Sequence, residues 1–436
     1  MAIDGIDDVL VVGAGPAGSA TAARLAARGY RVRVLDRADF PRDKACSEYL
    51  SPETLRQLDL LGVLEQVDAA GGAPVAGTTV SGPAGSRLAG RFARAGGTPL
   101  RPTGLGLARQ QLDAILVDAA RRRGAMVETN IVVRDLLRDA SGAIEGVTAT
   151  NAEGGATTYR ARVVVGADGL RSVVARRAGL HRRGRLRRVA FTAHVAGVAG
   201  LHDMTELHVG RDGYVGINPI GEAKERRREG EKEGRREGGK ESKESKERMW
   251  EGGVANVAVV VPASLAEAAR GDPVEFFRRR IEATPAVAGR IDLARTVRPI
   301  MATGPFDAMS RRSTADGALL VGDAADFFDP FTGEGICTAL RGAALAAEAI
   351  DDALAQPGPV TARRLHGYRI ARRRAFLGKW IIERVIGYAM LAPTFFDRCV
   401  NRLERRELAD TLIGVTGQFV SPAKILNPVA MAKVLL

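Results

Sequence analysis

Six residues near the start of the chain constrain its fold more than any other feature. Gly13-Ala14-Gly15-Pro16-Ala17-Gly18 stand between an apolar run of strand length, Asp8–Val12, and an Ala-rich helical stretch, Pro16–Arg28. In that setting G-x-G-x-x-G reads as a phosphate loop. The first Gly permits the tight turn, the second lets a pyrophosphate reach the backbone, and the third lets helix pack on strand. The helix N-terminus adds amide donors and partial positive charge. A second strand, Arg31–Asp36, ends in a carboxylate 23 residues after Gly13. An acid there accepts from ribose hydroxyls and repels a 2′-phosphate. The pattern opens a βαβ sheet, and the ligand it implies is a dinucleotide.

The chain has 436 residues, room for two or three domains, with 45% apolar and 26% charged residues. That is a globular composition. Three cysteines, Cys46, Cys337 and Cys399, form no CxxC. They exclude a disulfide scaffold and a Cys-rich zinc module, and suit a reducing cytosol. The net charge of +13 raises the question of nucleic acid. Only 9 of the 64 basic residues are Lys, however, and the Arg are scattered through Ala-rich helical stretches such as Ala119–Arg123. No RNP, zinc-finger or helix-turn-helix pattern accompanies them, so nucleic-acid binding is not expected. The bland reading, arginines on solvated helix faces, is preferred, and weak attraction to an anionic membrane surface ranks above nucleic-acid binding. The longest uncharged stretches near the C-terminus, Val385–Phe396 and Thr411–Ala423, have 12 and 13 residues, too short to span a bilayer. Residues Met1–Asp8 carry no basic segment of a signal peptide. A cytoplasmic protein is expected, at most resting on a membrane surface as a peripheral protein.

One segment differs from the rest. Residues Glu222–Glu251 hold 11 basic and 10 acidic side chains among 30, and five of the nine lysines. Such a polyampholyte buries no core and reads as a disordered insert. It lies between a hairpin signal, Glu206–Pro219 around Arg211-Asp212-Gly213, and a β-branched run, Val254–Val261. Lengthening a surface loop from about 4 to about 34 residues costs only roughly 2 kcal/mol.

Two more strand-to-loop motifs follow. Val163–Val165 run into Gly166-Ala167-Asp168-Gly169, with Ser172 beyond. Leu319–Val321 run into Gly322-Asp323-Ala324-Ala325, followed by a helix opened by Gly333-Glu334-Gly335-Ile336. The set, in this order, resembles the p-hydroxybenzoate-hydroxylase-like superfamily of FAD-dependent oxidoreductases. Phe40-Pro41-Arg42-Asp43-Lys44-Ala45-Cys46 and Pro330–Ile336 resemble segments of its geranylgeranyl-reductase and flavin-monooxygenase branch, over about Val9–Leu354 less the insert.

That resemblance implies an α/β fold: a Rossmann-like FAD-binding domain (residues 1–75, 105–182 and 297–356), an inserted mixed β-sheet substrate domain (76–104 and 183–296) and a helical C-terminal region (357–436). It implies FAD as cofactor, held by Gly13, Gly15, Pro16, Ala17, Gly18, Asp36, Arg37, Lys44, Cys46, Arg109, Asp168, Gly322, Asp323, Gly333, Gly335 and Ile336. Asp323 takes the ribityl chain, and Asp168 ties the FAD domain together near the pyrophosphate. No second G-x-G-x-x-G exists. Electrons are therefore expected from transient NAD(P)H contact or from a donor protein.

The chain departs from the branch in two places. Where the reductases have two glycines after the cysteine, Ser47 and Glu48 follow. Where they have Y-x-W-x-F-P, the stretch reads Tyr214-Val215-Gly216-Ile217-Asn218-Pro219. Halogenases carry a catalytic lysine, and neither Lys44 nor Lys379 matches it. The lost aromatics are expected to open space above the flavin around Gly216. They favour a monooxygenase that hydroxylates a lipophilic or aromatic small molecule through a flavin C4a-hydroperoxide, over double-bond reduction and over a non-catalytic flavoprotein. Cys46 and Tyr214 are the candidate catalytic residues, with Cys46 also readable as a small packing residue. No metal site is expected. His194 and His208 read as solvated strand positions.

Overall fold

The structure is a computed structural model that describes residues 6–222, 253–310 and 312–435. The charged insert, apart from Glu222, lies outside the described residues. In chain order the elements that position the site are β1 (Asp7–Val12), α1 (Pro16–Ala26), β2 (Val32–Leu35), α2 (Pro52–Leu60), β3 (Gly77–Ser81), β4 (Arg87–Arg91), α3 (Arg109–Arg122), β5 (Met126–Glu128), β6 (Val132–Arg138), β7 (Ile144–Thr150) and β8 (Ala156–Gly166). They continue with β9 (Arg188–Ala196), β10 (Met204–Gly210), β11 (Gly213–Glu222), β12 (Gly253–Pro262), α4 (Pro273–Glu282), β13 (Thr296–Thr303), β14 (Ala318–Leu320) and α5 (Gly335–Leu354). The C-terminal helices are α6 (His366–Ala389), α7 (Pro393–Arg405) and α8 (Ala409–Thr416).

The first layer is a parallel sheet in the order β14-β8-β1-β2-β5. Its central segments, Val9–Val12, Val163–Val165 and Ala318–Leu320, are apolar and buried, with α1, α3 and α5 packed on one side. Strands β6 and β7 extend β8 as an antiparallel meander. Local signals behave as the sequence implies: Ser51 caps α2, its Oγ accepting from the Thr54 amide at 3.3 Å, with Pro52 in the first turn.

The second sheet has the order β13-β9-β12-β11-β10-β3-β4. It is mixed: β3 and β10 run parallel, the other neighbours antiparallel. Strand β13 belongs to this sheet, so the sheet extends to Thr303, beyond the boundary at 296 read from the sequence. Period-2 alternation sorts its side chains. Phe191, Ala193 and Val195, Val215 and Ile217, and Ala255, Val257, Val259 and Val261 pack on one face with Phe277 and Ile281 of α4. The alternate residues face the parallel sheet. The C-terminal helices close this second face: Met390, Phe396, Val400, Leu403 and Ala409 pack with Leu88, Leu207, Val209, Tyr214 and Val260. Helix α6 is pinned to the first layer by the Tyr368 hydroxyl, which donates to the Leu320 carbonyl at 2.7 Å, and by an ion pair from buried Arg372 to Asp326.

Candidate functional site

The phosphate loop has the geometry its residues predict. Gly13 has φ +98°, and a Cβ on Gly18 would lie 1.8 Å from the Gly13 carbonyl oxygen. A Cβ on Gly15 would meet nothing within 4 Å, which leaves the open cradle a pyrophosphate needs. Asp36 closes the loop from below: its carboxylate accepts from the Ala14 amide at 2.7 Å and the Ala38 amide at 2.9 Å. Each of those oxygens keeps a second lone pair for a ribose hydroxyl. Asp168 accepts from the Val173 amide at 2.6 Å and so caps the short helix Val173–Arg177. Its other oxygen, Oδ1, is buried without a partner.

A cavity of about 350 Å³ begins at this loop. Gly15, Pro16, Ala17, Lys44, Cys46, Arg109, Asp323, Gly333, Gly335 and Ile336 all line it. Burial lowers the pKa of the Lys44 ammonium and Arg109 adds to that, while burial raises the pKa of the Asp323 carboxyl and Lys44 opposes it. Arg109 is held by a bidentate pair to Asp113, both bonds 2.8 Å, and Arg42 adds a second cation to Asp113 at 3.1 Å. A carboxylate bearing two guanidinium groups leaves a local excess of positive charge, which suits an anionic cofactor. Arg37 is not brought there. It is exposed and lines a separate surface recess with Asn130 and Arg134.

The second sheet forms the cavity's opposite wall in three cross-strand rows set by register. Arg298, His194, Asn256 and Asn218 are successive partners across four strands. This polar row clamps the segment after Cys46. Asn256 Nδ2 donates to the Cys46 carbonyl at 2.8 Å, and Asn218 Nδ2 to the Ser47 carbonyl at 3.1 Å. His194 and Arg298 Nη1, the latter at 3.3 Å, both bind the Glu48 carboxylate, which also accepts from the Arg109 amide at 3.0 Å. The second row, Thr192, Ala258 and Gly216, is small. A Cβ on Gly216 would meet only the Glu206 carbonyl oxygen at 3.8 Å and Ala258 at 3.9 Å, so there is room here, as expected. Asn218, by contrast, opens no space, because its amide is committed to the Ser47 carbonyl. The third row is Ala190, Val260 and Tyr214. The Tyr214 hydroxyl donates to Asp329 Oδ1 at 2.7 Å, and Arg188 pairs with Oδ2 at 3.0 Å. Burial, reinforced by Asp329, raises the Tyr214 pKa well above that of a free phenol.

Beyond this row the cavity is apolar. Ile382, Val385, Ile386, Phe395, Phe396 and Leu403 line it from α6 and α7. His194 and His208 are buried side chains, not the solvated positions expected. His194 pairs with Glu48, and His208 sits between Glu206 and Ser81, at 2.6 and 2.7 Å. Buried imidazoles keep their polar atoms only by finding such partners. The Glu48 cluster was not foreseen; in the sequence the apolar stretches Ile381–Phe396 and Thr411–Leu436 suggest a lipophilic substrate, but not which of their residues line the cavity. The signal for the cluster was the replacement of a glycine by an acid, at a residue that here has φ +60°. Among the described residues no cluster of His, Cys, Asp and Glu is arranged to hold a metal ion.

The family model described as FAD binding domain matches residues 7–376. The chain belongs to this family of FAD-dependent oxidoreductases. The flavoprotein is 30% identical over 390 residues to digeranylgeranylglycerophospholipid reductase of Methanothrix thermoacetophila, covering 87% of this chain and 85% of that one. It is 28% identical over 392 residues to menaquinone reductase of Mycolicibacterium smegmatis, covering 85% and 84%. Its fold matches that of a myxobacterial chondrochloren halogenase with a TM-score of 0.74 at 24% identity, covering 98% of this chain and 92% of that one.

Proposed function

We propose that this flavoprotein reduces a carbon–carbon double bond in a long apolar lipid, of the isoprenoid kind named in its full-length relatives. The observation that carries the reading is the continuity of the cavity, from the phosphate loop past Gly216 to an apolar end built by α6 and α7. A chain without polar groups fits such a space, and its burial supplies the binding energy.

In this reading Gly13–Gly18 hold the FAD pyrophosphate, Asp36 the adenosine ribose and Asp323 the ribityl chain. Lys44 and Arg109, with the amides of Gly335 and Ile336 at the start of α5, would hold the ring. FAD supplies a two-electron carrier that delivers hydride. The second hydrogen enters the product as a proton, and among the protic side chains that line the cavity the Cys46 thiol and the Tyr214 phenol are the candidate donors. Asp329 and Arg188 fix the Tyr214 ring, and the polar row fixes the Cys46 backbone. Cys46→Ser and Tyr214→Phe separate the two roles. The variant lacking the proton donor should keep FAD and its reduction, and lose product formation.

A second reading, oxygen-dependent hydroxylation of a lipophilic compound, draws on the room at Gly216. Turnover under strict anaerobiosis decides between them. A product two mass units heavier supports reduction; product that needs O₂ and gains an oxygen supports hydroxylation. NAD(P)H is the electron donor in either reading, with a reduced protein as the alternative, and stopped-flow bleaching of the flavin by each identifies it.

A further inference from the structure

Helix α6 presents Ile370, Leu377, Ile381, Val385 and Tyr388 outward, and the corner into α7 adds Leu391 and Phe395, each 40–55% exposed. At 3.6 residues per turn the five residues on α6 fall within an arc of about 80°. A contiguous strip of large apolar side chains is unusual on a soluble surface and marks a contact. On the same helical wheel exposed Arg374 falls within the arc, exposed Arg373 lies about 40° and exposed Arg369 about 80° beyond one edge, and exposed Arg398 follows on α7. Charge is concentrated here. Residues 361–436 hold 14 basic and 5 acidic side chains, a net +9 of the chain's +13. Two of those five acids, Glu383 and Asp397, are buried. Val385 and Phe395 belong both to the exposed strip and to the cavity wall, so the cavity's apolar end reaches the surface at this strip. No helix among the described residues is long and apolar enough to cross a membrane.

We propose that the α6–α7 strip docks on an anionic lipid bilayer, and that the cavity takes its lipid through this face. The apolar side chains enter the acyl boundary while the arginines remain at the phosphate level, their stems lying along the apolar surface. A bilayer suits the strip because cations within and beside an apolar ridge complement anionic headgroups over hydrocarbon. The second half of the proposal rests on the lipid-substrate reading; the docking itself requires no turnover.

The test is cosedimentation of the full-length, flavin-loaded protein with sucrose-filled vesicles. One set is pure phosphatidylcholine; the other is phosphatidylcholine and phosphatidylglycerol in equal parts. The wild type is expected to sediment with the anionic vesicles and to be released at about 1 M salt, where the Debye length is about 3 Å. The double variant Leu377→Asp/Ile381→Asp should bind roughly 100-fold more weakly, because two apolar side chains no longer leave water. Arg373→Glu/Arg374→Glu should bind at least about tenfold more weakly. Both variants should keep wild-type flavin content and thermal midpoint. A wild type that stays in the supernatant, or an apolar double variant that sediments as well as wild type, overturns the proposal. So does a wild-type dimer in light scattering that the apolar variant splits, since a second copy then covers the strip. Docking without lipid reduction removes only the functional reading; lipid reduction without docking removes only this one.

Discussion

The two ends of the cavity are built by different means. At the flavin end, backbone turns and charged groups are fixed by many partners: Asp36 under the loop, Arg42 and Arg109 on Asp113, and a polar row of the second sheet on Cys46–Glu48. At the far end, Ile382, Ile386, Phe396 and Leu403 wall a space with almost no polar groups. The first end is specific because every donor and acceptor requires one partner geometry. The second is tolerant, because apolar contact has no direction. In the reading proposed above, such a pairing would hold one cofactor rigidly and admit an apolar chain beside it.

The largest effect should come from breaking the polar clamp. Glu48→Ala leaves buried His194 without its carboxylate and buried Arg298 with only the more distant Asp43, at 3.8 Å, which is expected to cost about 3–5 kcal/mol. Urea unfolding of the variant measures it. A loss under about 1 kcal/mol would mean that the clamp is solvated and the flavin end no more rigid than the other.

Asp323→Ala comes next. Loss of a charge-assisted bond to the ribityl chain is expected to weaken FAD by about 1.5–3 kcal/mol, roughly 10- to 100-fold. Titration of the apoprotein with FAD reads it directly. Unchanged stoichiometry and affinity would remove the role assigned to Asp323.

Glu334 sharpens the comparison through pH. Burial pushes its carboxyl up to about 8, although Ser51 and Gln418 donate to it at 3.1 and 3.2 Å. Between the unfolded value near 4.5 and the folded value of about 8, the folded protein holds a proton that the unfolded chain has released. Stability contributed by this group is therefore full below the lower value and falls as pH rises, by up to about 1.4 kcal/mol per pH unit. Glu334→Gln should remove that slope from the pH dependence of the thermal midpoint. An identical slope in the variant would place the titration elsewhere.

The smallest effect is expected at the junction of the two regions. Gly216→Ala meets only contacts of 3.8–3.9 Å and should raise stability by about 0.5–1 kcal/mol, as alanine does over glycine in a strand. A destabilised variant would show that the junction is already full.

The same contrast governs what the sequence makes legible. Gly13–Gly18, Asp168 and Gly322-Asp323 are recognisable because close backbone approach to a cofactor tolerates few residue types. The hairpin around Arg211-Asp212 and the helix opened by Ser51-Pro52 carry turn and cap chemistry that acts locally. The polar row is different. Arg298, His194, Asn256 and Asn218 lie on four strands, and only register brings them to Glu48. Period-2 alternation says that these residues share a face, and not which loop lies opposite. The apolar lining from α6 and α7 is equally hidden, since an amphipathic helix reads the same whether it covers a core or a cavity.

The central claim is that one continuous cavity presents an apolar chain to a reducing flavin. It is tested most directly by anaerobic single turnover. The purified flavoprotein is photoreduced, mixed without O₂ with a geranylgeranyl-chain lipid in detergent micelles, and followed by flavin absorbance and product mass. The account predicts that the flavin reoxidises only when the lipid is present, with one double bond saturated per flavin. A flavin that stays reduced with that lipid until O₂ is admitted, followed by an oxygenated product, would contradict it.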